Sequence, residues 1–98
     1  MNFDFRPDPD GVLWLSGELD TYKAVEFIRV GRTASEQRSD VILDLSDLSF
    51  IDSSGIRAVL AIAEGTTGAV VLRGPSASVR RVIDLTGIVG RYGIVLDA

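Results

Sequence analysis

Apolar residues alternate with polar ones at Phe3 and Phe5, the period of a half-buried strand, and PDPDG over Pro7 to Gly11 then breaks the chain with turn residues. Val12 to Leu15 resumes as a second strand, so the two read as an antiparallel hairpin at or near a sheet edge. Beyond it the period changes. Ala24, Phe27 and Ile28 recur at helical spacing behind a cap supplied by Thr21 or Asp20, and Gly31 is expected to weaken the second half of that helix by about 1 kcal/mol relative to alanine. Val41 to Leu45 is almost continuously apolar, the pattern of a central buried strand, with a polar break expected at Ser46 and Asp47. Ile56, Val59, Leu60 and Ala63 then stand on one helical face, so a helix starts at DSSG, Asp52 to Gly55, and stops at GTTG, Gly65 to Gly68. Ala69 to Leu72 reads as another buried strand. Pro75 is placed in the first turn of a helix with Val79, Val82 and Ile83 inward and Gly87 closing it, and Ile94 to Leu96 is a last short strand.

Strands alternating with helices after an initial hairpin predict an α/β fold: a mixed sheet with an N-terminal antiparallel hairpin, then parallel strands joined by right-handed crossover helices. With 98 residues and 46% hydrophobic content the chain suffices for one core, and a single domain over residues 1–98 is expected.

Composition narrows the chemistry. There is no cysteine and no histidine, which removes thiols, disulfides, imidazole bases and soft-metal sites, so neither a metal nor a cofactor is expected. A net charge of -4, from 14 acidic and 10 basic side chains, argues against binding nucleic acid. No apolar run approaches a membrane span and the acidic start MNFDFRPDPD is unlike a secretory signal, so a cytoplasmic protein without membrane insertion is expected.

DSSG admits three readings. Asp and Ser are favoured helix caps, and the turn could be nothing more; Gly55 fits this poorly, because glycine in a first helical turn costs stability unless some group must approach the backbone closely. A serine nucleophile is disfavoured, since Ile51 and Asp52 stand where a hydrolase elbow needs glycine and Lys23 is the one base candidate. Alternatively the serine accepts a phosphate: a hydroxyl at a helix start is exposed, and orphan amides and the helix dipole accommodate negative charge there. Residue types alone rank this above catalysis but not above capping.

SGELD at Ser16 to Asp20, VILDLSDLSFIDSSG at Val41 to Gly55 and GPSASVRRVIDLTGI at Gly74 to Ile88 together resemble the STAS domain family, most closely its anti-sigma factor antagonists. The resemblance implies a regulatory protein and not an enzyme. It implies a partner that is an anti-sigma factor serine kinase of the histidine-kinase-like ATPase fold, bound while the antagonist is unphosphorylated so that a sigma factor goes free. It also implies inactivation by phosphorylation and a serine phosphatase that reverses it. The family's acceptor falls on Ser53, and its acids in the first and second blocks, which the resemblance implies flank the acceptor and contribute to partner recognition, fall on Asp20 and Asp52. Ser54 and Gly55 complete the motif, and with Ile56 and Arg57 they are expected on the partner-binding face. Arg57, four residues from Ser53, could instead fold back toward the phosphate, and Arg73, Arg80 and Arg81 are read as a modest basic cluster on a solvated face.

Two departures bear on this. The segment after DSSG is about one helical turn shorter than in the sporulation antagonist, and the family's C-terminal helix is expected to be absent, which would expose apolar surface and favour an extra partner or a homodimer. The alternative role implied by the resemblance is a STAS subunit of a phospholipid-transport ATPase, in which the same turn docks without being phosphorylated.

Overall fold

The computed structural model describes residues 3–97. Its elements follow in the order β1 (Phe3–Pro7), β2 (Val12–Leu19), α1 (Thr21–Gln37), β3 (Val41–Ile51), α2 (Ser53–Glu64), β4 (Val70–Arg73), α3 (Ala77–Thr86) and β5 (Ile94–Asp97). They build one five-stranded sheet in the order β1-β2-β3-β4-β5. The first pair is antiparallel, with Phe5 opposite Leu15, and every later pair is parallel. The expected mixed α/β architecture is therefore the one found.

Alternate strand positions, Leu13 and Leu15, Val41, Leu43 and Leu45, Val70 and Leu72, and Ile94, join residues of all three helices in one buried cluster. Each parallel crossover steps the same way across the sheet, and connections of one hand then lie on one face. The helices therefore cover one side of the sheet and leave the other to the opposite set of side chains.

Four details differ from the sequence pattern, each for a local reason. β2 continues past Leu15 to Leu19, so SGEL is strand and not a lead into the helix. β3 does not break at Ser46 and Asp47. It runs to Ile51 over 11 residues against the 8 of β2: the pairing register takes up one extra residue between Trp14 and Ser16 and another between Gly17 and Glu18, and Val41 precedes the first pair, Val12 with Ile42. A bulge admits an extra residue without ending a strand, which is how a polar Ser-Asp pair is carried inside one. Gly31 lies within an unbroken 17-residue α1, buried against Ile62 of α2, where its missing side chain lets the two helices approach. Pro75 stands one residue before the cap of α3, which is Ser76, and so lies outside the first turn where it was expected.

The last loop folds back on the sheet. Gly87, Gly90, Tyr92 and Gly93 all take positive φ values, Tyr92 at 48°. The turn they make brings the Gly90 amide to the Ile94 carbonyl at 2.7 Å and the Ile94 amide to the Arg91 carbonyl at 2.8 Å. The amide and carbonyl of Ile94, at the start of β5, are thereby engaged by the chain itself.

Candidate functional site

In the parallel pair of β2 and β3, Leu19 lies opposite Ile51, so both strands end at the same rim of the sheet and both deliver an aspartate there. Asp20 caps α1 and Asp52 caps α2, with nearly the same backbone geometry: φ -121° and ψ -174° for the first, φ -111° and ψ -172° for the second. The Asp20 carboxylate accepts from the amides of Tyr22 at 3.1 Å and Lys23 at 3.3 Å, and the Asp52 carboxylate from those of Ser54 at 2.9 Å and Gly55 at 3.1 Å. Each uses one oxygen for both donors. The two starts are tied together by a hydrogen bond between the Thr21 and Ser54 hydroxyls, 2.9 Å apart, and by the Asp52 amide donating to the Leu19 carbonyl at 3.4 Å.

Ser53 is exposed at the first position of α2. The free helix amides invoked for DSSG are not all free, because Asp52 already engages the two that follow Ser53. A phosphate added to Ser53 would thus stand beside a carboxylate that occupies the natural anion seat, and charge would accumulate at the surface without a matching donor pair.

Gly55 and Ile56 depart from the expected docking face. Gly55 is buried, and a side chain there would meet Ile51 and Leu19; the close approach its presence called for comes from the core beneath. Ile56 is 5% exposed and belongs to the core cluster, since the fourth residue of a helix starting at Ser53 faces the sheet. Arg57 is exposed and makes no ion pair among the described residues. Arg73, Arg80 and Arg81 do not form a cluster. Arg73 stands on the sheet face away from the helices, bonded to Asp44, while Arg80 pairs with Asp84 along α3. Two further apolar residues lie near the rim: Tyr22 and Val25, on the first turns of α1, are 90% and 76% exposed. Their signal was legible as apolar residues falling off the stripe of Ala24, Phe27 and Ile28.

The arrangement is a surface, not a pocket. A cleft of about 440 Å³ lies between the β1–β2 turn and the C-terminal half of α1, lined by Pro7, Val12, Arg29, Val30 and Arg38 among others, and includes no residue of the rim. Among the described residues there is no group of three or more acidic side chains arranged to hold a metal ion, and no helix is long and apolar enough to cross a membrane.

Comparison with known proteins bears on a rim of this construction. The family model described as "STAS domain" matches residues 2–94. The chain belongs to the STAS domain family. An anti-sigma F factor antagonist from Lysinibacillus sphaericus is 39% identical to this STAS domain over 83 residues, covering 79% of this chain and 70% of that protein. An anti-sigma factor antagonist from Mycobacterium paratuberculosis superposes with a TM-score of 0.71 at 28% identity, over 96% of this chain and 84% of that one. The anti-sigma factor antagonist SpoIIAA, solved in its unphosphorylated form, superposes with a TM-score of 0.65 at 25% identity, over 99% of this chain and 88% of that one. In both structures the shared fold spans nearly the whole of this STAS domain.

Proposed function

We propose that this STAS domain is an anti-sigma factor antagonist. It binds an anti-sigma factor through the rim formed by the starts of α1 and α2, and is switched off by phosphorylation of Ser53. The observation that carries the reading is the position of Ser53: an exposed hydroxyl on a rigid, Asp52-capped turn, hydrogen-bonded through its neighbour Ser54 to the Asp20–Thr21 turn. The antagonists it resembles supply the partner class, and SpoIIAA, described in its unphosphorylated form, supplies the kind of switch. Asp20 and Asp52 set the shape of the rim, Ser54 couples its halves, and Arg57 lies at its margin. Gly55 and Ile56 support the turn from below.

The anti-sigma factor would itself be the kinase. The Ser53 hydroxyl oxygen attacks the γ-phosphorus of its ATP, the bond from that phosphorus to the β–γ bridging oxygen breaks, ADP leaves, and the hydroxyl proton passes to a base of the kinase. The product carries roughly -1.5 to -2 additional charge beside Asp52. A surface that docked while nearly neutral at Ser53 then places an unmatched dianion in the interface, which weakens the complex. A phosphatase that hydrolyses the ester restores the hydroxyl.

A titration against the cognate anti-sigma factor tests this. Ser53→Asp should weaken binding by at least tenfold, or about 1.4 kcal/mol, whereas Ser53→Ala should bind as the parent does and take up no phosphate from ATP. Equal affinity of parent and Ser53→Asp would sink the switch and favour a docking role of the transport-subunit kind.

A further inference from the structure

Four parallel strands carrying helices on one face are an uncommon arrangement, because parallel sheets are almost always covered on both. The uncovered face here is neither wholly polar nor wholly apolar. Strand pairing aligns Arg6, Trp14, Asp44, Arg73 and Asp97 in one continuous row across the sheet. Val12, Ile42, Val71 and Val95 form the next row, with Ile42 and Val71 half-buried and Val95 43% exposed.

Within the first row the middle is already satisfied. Asp44 is 5% exposed and accepts from Arg73 Nε at 2.8 Å and from the Ser46 hydroxyl and amide, while the Arg73 guanidinium lies 5.1 Å from the centre of the Trp14 ring. The ends are not. Arg6 and Asp97, at opposite edges of the sheet, are exposed and make no ion pair among the described residues.

We propose that this face is the contact surface between two copies of the chain. Turning a second copy over about an axis that runs along β3 places β1 over the second copy's β5 and β2 over its β4. Arg6 then meets the second copy's Asp97, and its twin pair forms by symmetry at the other edge. Trp14 comes over the second copy's Arg73, extending a stack that exists within each chain. Val12 meets Val71, and Ile42 meets its own copy. Asp44 faces its equivalent, but each is covered and neutralised within its own chain. A two-fold rotation about the perpendicular in-plane axis would set Arg6 against Arg6, so the charge order selects the first. The match is isologous, as a closed dimer requires.

Five strands about 4.8 Å apart and two rows about 6.8 Å apart give roughly 330 Å² per copy, about two-fifths of a standard interface. With a net charge of -4 on each copy, the dimer is a weak one that forms with concentration. It leaves the Asp20–Ser53 rim outside the interface, so it stands or falls independently of the switch.

Sedimentation equilibrium from about 10 µM to 1 mM, a span chosen for an interface of this size, tests the proposal at low salt. The average mass should climb toward that of two chains. Arg6→Asp and Asp97→Arg, each alone, should weaken association by about tenfold, and the two changes in one chain should restore it to within about threefold of the parent, since the swapped pair is again complementary. Both residues are exposed, so the folded state is retained, which circular dichroism checks. A monomer throughout the range, association indifferent to either single reversal, or a double variant no better than the singles would each overturn it.

Discussion

Gly55 sits where the first turn of α2 crosses Leu19 and Ile51; a Cβ there would stand 2.6 Å from Ile51 Cγ1 and 3.0 Å from Leu19 Cγ. Gly55→Ala would ordinarily gain helix propensity, but here it drives a methyl group into two buried side chains. Overpacking of that kind costs about 1–3 kcal/mol, and a urea midpoint lowered accordingly is the expected result. That a glycine in this turn marks a close approach was legible in the sequence. Which group approaches was not, because Leu19 is 36 positions away and meets Gly55 only through the pairing of β2 with β3. Asp44 was hidden in a different way, inside the apolar run VILDL that reads as a strand without polar content. Burial raises its carboxyl, but the Ser46 hydroxyl and amide and the Arg73 guanidinium more than offset this and hold it below the ordinary value of 3.8. A carboxylate depressed on folding contributes stability in full above that ordinary value and loses it as pH falls through its lower folded value. Asp8, held down chiefly by the Trp14 indole N–H, acts in the same acid window. Stability measured by denaturant melts should therefore decline below about pH 4, and Asp44→Asn should make that decline shallower while removing only part of it.

At the scale of elements, α1 and α2 owe their mutual position to residues that propensity scores poorly. Gly31 is by propensity a weak point in a helix, and in isolation alanine at that place would be favoured by about 1 kcal/mol. In the folded chain a side chain at Gly31 runs into Ile62, which is fully buried and has nowhere to retreat. Gly31→Ala is expected to lower stability by about 1 kcal/mol or more despite the helix gain, as the cost of overpacking exceeds the propensity term; the sign of the change in a thermal or urea melt decides between the two effects. Helix starts were more transparent than strand ends. Asp20 and Asp52 are recognisable caps, and both perform as such, whereas the lengths of β2 and β3 depend on bulges that shift register by one residue and leave no mark on composition. The same reasoning explains Ile56: its place on the helical stripe was visible in the sequence, and that stripe faces the core, not a partner.

For the molecule as a whole, strand order and the one-sided layer of helices follow from short right-handed crossovers, which is why the α/β class could be read from alternating periods alone. The rim was readable for the same reason, since successive parallel strands end on one side and deliver Asp20 and Ser53 together. What sequence could not convey is the pairing of distant residues across that frame: the Thr21–Ser54 hydrogen bond, or the row from Arg6 to Asp97. Those require the register, and the register is set by packing of the full sheet.

The loop from Gly87 to Gly93 acquires a meaning in this light. A sheet with an open border grows by recruiting further strands, and growth of that sort has no natural end. Here the amide of Gly90 and the carbonyl of Arg91 engage Ile94 on one border, and Pro7, which has no amide hydrogen, terminates β1 on the other. Lateral extension is hindered at one position on each flank, which leaves faces and rims as the surfaces where association is finite.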